Sequence, residues 1–315
     1  MAYVDRHNLT TLDEFILTGI THLPELQAPL FGLFLTVYTI SVVGNLGLII
    51  LTNTDSRLQT PMYFFLQHLA FTDLGYSTAV GPKMLINFVD KPTISYNWCA
   101  TQLAFFDVFI VSELCIISAM ACDRYVAICN PLLYTVVMSP RVCWVLVTVP
   151  YLYSTFLSLI VTIKIFLSSF CGNNVIRHFY CDSLPLLTLI CSGTREVELI
   201  LLIFSAFNLV SSLLIVLVSY TLILTAILRM NSADGRHKAF STCGSHLTVV
   251  VVLYGTLFFM YVQPRSSHSF DTDKLASVFY TLVIPMLNPM VYSLRNREVK
   301  GALHRIWSNL CKLCL

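Results

Sequence analysis

Seven runs of mainly apolar residues, each long enough to cross a lipid bilayer as a helix, dominate this sequence of 315 residues. About 20 such residues span the hydrocarbon core of a membrane. The runs cover residues 26–52, 61–84, 98–122, 142–163, 197–228, 240–262 and 275–294. We therefore predict an all-α fold, a seven-transmembrane helix bundle in the plasma membrane, with the lipid bilayer as its solvent.

The overall composition agrees with this prediction. The chain is 56% apolar and only 11% charged, whereas a soluble domain carries about 25% charged residues. Its mean hydropathy is +0.75. The net charge of +2 gives no strong field, so nucleic acid is not expected as a partner.

The second and seventh runs are the weakest of the seven. Both contain residues that commonly interrupt helices, namely Gly81, Pro82, Pro285 and Pro289. Membrane helices tolerate such residues where neighbouring groups bond the freed backbone, so both runs are retained as spans.

Basic residues indicate the orientation of the bundle. They concentrate in the short loops and the tail on one side, which the positive-inside rule makes cytoplasmic. The N-terminus is then extracellular, where Asn8 of the triplet Asn8-Leu9-Thr10 can be glycosylated. We expect one receptor domain, with an outer N-terminus (1–25), a helix bundle (26–294) and a cytoplasmic tail (295–315).

Four cysteines fall on the extracellular side, where disulfides persist. They are Cys99, Cys171, Cys181 and Cys191. Three pairings are compatible with the sequence. A bridge from Cys99 to the long loop at residues 164–196 would stabilise the fold by about 4–5 kcal/mol and would hold that loop over the bundle as a lid.

One polar set inside the spans consists of Asn45, Asp73, Glu113 and Asn288. A charge at the centre of a bilayer costs about 2.5–3.5 kcal/mol, so the two carboxyls should face the bundle and have partners. Two nearby carboxyls can share one proton or a bound sodium ion. The alternative is a hydrogen-bonded core that only fixes packing.

A charged pair, Asp123-Arg124, ends the third span, followed by Tyr125. Such a pair can neutralise itself while the arginine reaches inward, which makes a latch with two states. The plainer alternative is an anchor at the cytoplasmic boundary.

Several motifs along the chain give it a family resemblance. They are Gly44-Asn45, Pro61-Met62-Tyr63-Phe64-Phe65-Leu66, Met120-Ala121-Cys122-Asp123-Arg124-Tyr125-Val126-Ala127-Ile128-Cys129, Ser219-Tyr220, Lys238-Ala239-Phe240-Ser241-Thr242-Cys243-Gly244-Ser245-His246-Leu247 and Pro285-Met286-Leu287-Asn288-Pro289-Met290-Val291-Tyr292. In this order the chain resembles the odorant receptors among the rhodopsin-like G-protein-coupled receptors, over residues 8–300. The chain departs from the family pattern at two positions, where Cys122 replaces the usual tyrosine and Gln59 replaces a common histidine. Both departures affect the expected strength of G-protein coupling rather than the expected fold.

The resemblance implies specific pairings and roles. The disulfides are expected to be Cys99–Cys181 and Cys171–Cys191, and the polar group Asn45, Asp73 and Glu113 to form a sodium and activation switch. The residues expected to act in activation and G-protein coupling are Asp123, Arg124, Tyr125, Tyr220, Lys238, His246, Asn288, Pro289 and Tyr292.

A largely apolar cavity in the outer half of the bundle would suit a small volatile ligand. Helical spacing and the resemblance together favour Phe106, Asp107, Ile110, Phe204, Phe207, Asn208, Tyr254, Leu257, Tyr261, Val278 and Thr281. Aromatic residues at such spacing are otherwise ordinary core. Asp107 could pair with a cationic ligand or hydrogen-bond a neighbouring helix, and we favour the structural role.

The predicted function is an odorant receptor that activates a heterotrimeric G protein, of the stimulatory olfactory type that raises cAMP. The alternatives are a receptor for a metabolite outside olfaction, or a transporter or channel lined by Asp73 and Glu113. No nucleophile–base pair or metal cluster suggests an enzyme. The tail is expected to form an amphipathic helix on the inner leaflet, with Cys311 and Cys314 available for palmitoylation.

Overall fold

The computed structural model describes residues 13–21, 23–171, 174–191, 193–230, 232–262, 270–295 and 298–305. Seven long helices run through this part of the chain, as the apolar runs predict. Helices 1 to 6 cover Pro24–Thr54, Pro61–Ile86, Tyr96–Cys129, Pro140–Phe166, Thr194–Leu228 and Ala233–Val262. Helix 7 consists of Phe270–Val278, a π-helical turn at Phe279–Val283, and Ile284–Arg295.

The helix starts follow simple backbone chemistry. Pro24, Pro61 and Pro140 open helices 1, 2 and 4, where a missing N–H costs no hydrogen bond. Ser95 caps helix 3, because its side chain accepts a hydrogen bond from the backbone N–H of Trp98 at 3.4 Å. The helices extend a few residues beyond the predicted apolar runs at most ends.

The seven helices differ in hydropathy. Five of the described helices are both long and apolar enough to cross a membrane. Residues 274–292 of helix 7 are the least apolar of the five, and helix 2 is not among them. Within the described residues, helix 6 contributes a shorter apolar stretch, His246–Phe258.

The residues expected to interrupt helices have specific packing roles. Helix 2 continues through Gly81 and Pro82, and a side chain at Gly81 would meet the ring of Tyr38 at 2.7 Å. In helix 7 the wide turn Phe279–Val283 comes just before Pro285. Because proline lacks an N–H and clashes with the preceding turn, a regular helix cannot pass through it undisturbed.

Helix 3 lies at the centre of the bundle and packs against helices 2, 4 and 5. Hydroxyl groups connect it to helix 4, with Ser112 Oγ and Ser154 Oγ 2.7 Å apart, and Ser158 Oγ donating to the carbonyl of Ala104 at 2.7 Å. Such hydrogen bonds between helices are a common device for association in lipid.

A small extracellular sheet, which the sequence analysis did not predict, joins the N-terminal segment to two loops. Strand β1 (Glu14–Leu17) lies between β2 (Thr93–Ser95), to which it is antiparallel, and β3 (Val175–Ile176), to which it is parallel. Phe15 and Leu17 alternate inward and are fully buried.

The long loop between helices 4 and 5 lies over the outer end of the bundle as a lid. Its two disulfides are Cys99–Cys181 and Cys171–Cys191, which confirms the pairing implied by the family resemblance. Gln102 of helix 3 adds a polar link, because its Oε1 accepts from the backbone N–H of Cys181 at 2.9 Å and its Nε2 donates to the carbonyl of Ala79 at 2.8 Å.

The start of the cytoplasmic tail is helical over residues 298–305 and packs against helices 1 and 2. Val299 and Ala302 are fully buried, whereas Leu303 is 58% exposed. Arg305 Nη2 donates to Asp55 Oδ2 at 2.5 Å, and Tyr63 donates to Glu298 Oε2 at 2.6 Å. We expect the amphipathic helix to continue through Ile306, Leu310 and Leu313. These residues, and the palmitoylation candidates Cys311 and Cys314, lie outside the described residues.

Candidate functional site

A polar cluster occupies the centre of the bundle, where the sequence placed Asp73 and Asn288 at similar depth. Asn288 Nδ2 donates to both carboxylate oxygens of Asp73, at 3.1 and 2.9 Å. The hydroxyl of Tyr76 donates to Asp73 Oδ1 at 3.2 Å. Helices 2 and 7 are thus joined through one carboxyl group, and Tyr76 is a member that sequence reasoning missed.

Glu113 faces the same cluster but makes no hydrogen bond with the described residues. It is fully buried and lies close enough to Asp73, Tyr76 and Asn288 to interact with them electrostatically. Both of its carboxylate oxygens are buried without a hydrogen-bond partner. Because a buried unpaired carboxylate is very costly, this geometry calls for a proton or a cation at Glu113.

Asn45 joins helix 1 to the backbone of helix 7, three residues before Asn288. Its Nδ2 donates to the carbonyl of Pro285 at 2.9 Å and to the carbonyl of Ser41 at 3.0 Å. Its Oδ1 is buried and has no partner in the described part of the chain. The oxygens of Asp73, Glu113 and Asn45 are hard donors of the kind that sodium prefers.

An aromatic layer lies nearer the extracellular side. The ring of Phe106 contacts Tyr76, Tyr180 and Tyr280, with centroids 6.2, 5.3 and 6.0 Å apart. The hydroxyls of Tyr180 and Tyr280 hydrogen-bond to each other. Since Tyr180 belongs to the long loop and Tyr280 to helix 7, this layer joins the lid to the bundle.

Most of the residues chosen for ligand binding face inward. Buried among them are Phe106, Asn208, Tyr254, Leu257, Val278 and Thr281, and partly buried are Asp107, Ile110 and Phe204. The hydroxyl of Tyr254 is buried near Ser118 and Ser212 and has no hydrogen-bond partner among the described residues. The side chain of Tyr261 lies outside the described residues.

Phe207 is the exception and is not placed with the others. It is 61% exposed on the outer face of helix 5, while its neighbour Asn208 is buried and donates to the carbonyl of Phe204 at 2.7 Å. Consecutive residues of a helix differ by about 100° in direction, and here that rotation leaves Phe207 on the outer face while Asn208 is buried. We therefore correct the predicted set by removing Phe207.

The lid contributes ionisable groups that the sequence analysis did not single out. His178 Nε2 lies 3.2 Å from Ser277 Oγ of helix 7, and burial, together with nearby Lys274, lowers the pKa of His178 to about 3. Burial raises the pKa of Asp182 to about 6, although its side chain accepts a hydrogen bond from the N–H of Ser183. No sequence motif marks His178 and Asp182, because the folded lid creates their buried surroundings.

Asp107 lies close enough to Asp182 for the two carboxyls to repel each other. A carboxyl of helix 3 therefore faces a carboxyl of the lid rather than a cationic side chain. Either a proton or a ligand amine would relieve this repulsion. Both roles of Asp107 therefore stay open, namely pairing with a cationic ligand and hydrogen bonding within the protein.

At the cytoplasmic end, Asp123 and Arg124 are both buried and lie close enough to interact electrostatically, but they make no direct ion pair. Asp123 Oδ1 instead accepts a hydrogen bond from Tyr134 at 2.7 Å. Tyr134 lies in a short helix, Tyr134–Val137, that only the folded chain brings to Asp123.

Arg124 is nearly buried and interacts electrostatically with Tyr220, His246 and Tyr292. The Tyr220 hydroxyl lies 2.5 Å from His246 Nδ1, which joins helices 5 and 6.

For the other residues predicted to act in activation, coupling or glycosylation, the structure shows packing contacts or no side-chain placement. Tyr125 packs on the cytoplasmic cluster of Ile223, Ile227 and Cys243. Pro289 packs so closely against Gly44 that a side chain there would meet its ring at 3.0 Å. The side chain of Lys238, and Asn8, lie outside the described residues.

The fold matches that of a known receptor. The crystal structure of squid rhodopsin superposes with a TM-score of 0.68 at 19% sequence identity, covering 93% of this chain and 88% of that one. This similarity defines a rhodopsin-like seven-helix bundle and agrees with the predicted fold.

The sequence comparisons then give the family. A family model for olfactory receptors matches residues 34–310. Human olfactory receptor 8K3 is 75% identical over 98% of this chain and 99% of its own length, and human olfactory receptor 8K1 is 65% identical over 99% of each. Mouse olfactory receptor 8U3 is 58% identical over 94% of this chain and 93% of its own length. The chain belongs to the olfactory receptor family, and it is a multi-pass membrane receptor rather than an enzyme.

Proposed function

We propose that this receptor binds small volatile ligands beneath the lid and activates a stimulatory heterotrimeric G protein, which raises cAMP. The observation that carries the proposal is the aromatic layer of Phe106, Tyr180 and Tyr280. Its rings are buried together beneath the lid, and the hydroxyls of Tyr180 and Tyr280 add polar groups to them. Small-molecule sites commonly have this composition.

Helices 3 and 7 offer a route from ligand to cytoplasm. Helix 3 carries Phe106, Glu113 and Arg124 in order, and the 18 residues from Phe106 to Arg124 span about 27 Å. Helix 7 carries Tyr280 and Asn288. A ligand that binds more tightly when these helices adopt the signalling arrangement shifts the population toward it.

We propose a bound sodium ion, or a shared proton, at Asp73 and Glu113 as the element that holds the resting arrangement. Supporting this are the two partnerless oxygens of Glu113 beside the carboxyl of Asp73. When bound, sodium supplies charge compensation. The chain's own part is to fix Asp73 through Asn288 and Tyr76, so movement of helix 7 disturbs the site.

The cytoplasmic latch in this proposal is Arg124, with Tyr220, His246 and Tyr292 around it. Lys238 and Tyr125 are assigned to G-protein contact by family resemblance. Cys122 Sγ lies 4.0 Å from Ser219 Oγ of helix 5, so the residue that replaces the usual tyrosine still contacts that helix.

The test is a cAMP reporter in transfected cells, screened with a chemically broad odorant panel. We expect ligand-evoked cAMP in the wild type and its loss in Arg124→Ala at equal surface expression. Arg124→Lys keeps the charge and is the matched control for misfolding. A full response in Arg124→Ala would contradict the latch, and ligand-evoked current without cAMP would contradict G-protein coupling.

The ligand position is tested separately. Phe106→Ala should raise the odorant concentration for half-maximal response by about tenfold or more, because a buried aromatic contact is lost. Phe207→Ala is the matched control on the outer face of helix 5 and should leave the response unchanged.

A further inference from the structure

Aromatic rings surround a histidine on the lipid-facing side of helices 2 and 4. The ring centroid of His68 lies 4.8 Å from Phe64, 6.0 Å from Trp144 and 5.9 Å from Tyr151. Trp144 and Phe71 are 57% and 48% exposed, whereas His68, Phe64 and Tyr151 are half-buried. The imidazole is therefore recessed among exposed rings on a surface that the bilayer covers.

The side chain of His68 makes no hydrogen bond with the described residues. Its backbone carbonyl accepts from the hydroxyl of Tyr151 at 3.5 Å. Its Nδ1 is buried without a partner, whereas Nε2, which has no partner in the described chain either, stays accessible at the surface. Because a polar atom that faces lipid without a hydrogen bond is costly, Nε2 is suited to a ligand that arrives from the bilayer.

The depth of His68 restricts what can reach it. It lies seven residues, or about 10 Å, inside the start of helix 2 at Pro61, and half of the hydrocarbon core measures about 15 Å. Lipid head groups stay in the polar interface outside this core. A small uncharged molecule dissolved among the lipid chains can reach Nε2, whereas an ion at this depth is strongly disfavoured.

The surrounding rings restrict the ligand further. Trp144 and Tyr151 are seven residues apart on helix 4, a rise of about 10 Å, which accommodates one substituted benzene ring. Aromatic rings prefer offset or edge-to-face contacts with other rings. A neutral imidazole has one donor and one acceptor nitrogen, and a hydroxyl group can bond to either kind.

We propose that this ring cluster is a lipid-facing binding site for small uncharged phenols that partition into the bilayer. The phenol ring packs against Trp144 and Tyr151, and its hydroxyl forms a hydrogen bond with His68 Nε2. None of these residues belongs to the set assigned to the ligand beneath the lid. The site therefore stands or falls independently of the odorant position and the G protein proposed above.

Trp144 can report on the site directly. With Trp98→Phe and Trp307→Phe, it is the only tryptophan left in the full-length receptor. The purified receptor is placed in phosphatidylcholine vesicles and titrated with para-bromophenol, whose heavy bromine atom quenches indole fluorescence on contact. The matched compound is para-bromotoluene, which has the same shape without the hydroxyl. Both are compared at equal concentration in the membrane, where partition alone gives linear quenching and a site gives quenching that saturates.

We expect quenching by para-bromophenol to saturate at about tenfold lower membrane concentration than quenching by para-bromotoluene, because only the phenol hydroxyl bonds to Nε2. His68→Phe keeps a ring but removes the nitrogen, and should abolish this preference. His68→Gln places an amide near the position of Nε2 and should retain most of it. The control is His304→Phe, the same substitution at an exposed histidine of the cytoplasmic tail, which should change nothing.

Three results would overturn the proposal. They are linear quenching by para-bromophenol, equal quenching by the two compounds, and a preference for the phenol that persists in a folded His68→Phe receptor. If His68→Phe does not fold, the comparison of the two compounds on the receptor with His68 intact decides.

Discussion

The two ends of the helix bundle are held together in different ways. At the extracellular end, two disulfides, a three-stranded sheet and a buried aromatic layer join the lid to helices 3 and 7. At the cytoplasmic end, the described residues form no disulfide and no sheet, and the helices are joined by apolar packing and by hydrogen bonds such as Asp123 with Tyr134 and Tyr220 with His246. We therefore expect the extracellular end to be the more rigid of the two.

The largest expected effect comes from opening the extracellular end. Cys99→Ser removes a bridge between residues 82 positions apart and should destabilise the receptor by about 4–5 kcal/mol. Cys171→Ser, whose bridge joins residues 20 positions apart, should cost about 3 kcal/mol. Both are measured as surface expression and melting temperature.

The double variant Cys99→Ser/Cys181→Ser serves as the control, because it leaves no unpaired thiol and should resemble the single variant. A larger loss from Cys171→Ser than from Cys99→Ser would show that ring size does not set the rigidity of the lid.

At the cytoplasmic end, Tyr134→Phe removes only the hydroxyl that donates to Asp123. A hydrogen bond to a charged group contributes about 1.5–3 kcal/mol, so we expect basal cAMP to rise as the resting arrangement loses stability. Tyr153→Phe, in helix 4, is the control. Unchanged basal cAMP in Tyr134→Phe would remove Tyr134 from the latch.

Acidification should affect the lid through two groups with opposite signs. The pKa of His178 is lowered to about 3, so its contribution to stability is present above pH 6.5 and is lost as pH falls from there toward 3. The pKa of Asp182 is raised to about 6, so its contribution is present below pH 3.8 and is lost as pH rises through 6.

Between pH 7.5 and 5.5 the two contributions change in opposite directions. Melting curves should therefore separate the variants. His178→Gln should gain stability on acidification relative to wild type, and Asp182→Asn should lose it. Parallel pH profiles for wild type and both variants would contradict the assignment.

The smallest effect is expected where the tail docks. Asp55→Asn weakens the contact with Arg305, which lies at the surface and is screened by solvent. We expect a slight drop in melting temperature, smaller than for Cys171→Ser, and its recovery in the exchanged pair Asp55→Arg/Arg305→Asp. A drop as large as that of Cys171→Ser would mean that the tail holds the cytoplasmic end as firmly as a disulfide.

The seven spans could be predicted from the amino-acid sequence alone, and the disulfide pairing could be predicted with the help of family motifs. Hydropathy and helical periodicity are local properties that lipid enforces on each segment independently. The prolines marked helix 7 as interrupted, but they did not show that a π-helical turn comes just before Pro285.

Which side chains meet depends on the fold of the whole chain. Phe207 is exposed, Asp123 accepts a hydrogen bond from Tyr134 of a separate short helix, and strand β1 lies between two loops. Each of these depends on segments distant in the chain and on the rotation of one helix against another. Neighbouring residues of a helix differ by about 100° in direction, so the rotation of a helix decides whether a given side chain faces the bundle or points outward. No local pattern in the sequence shows this rotation.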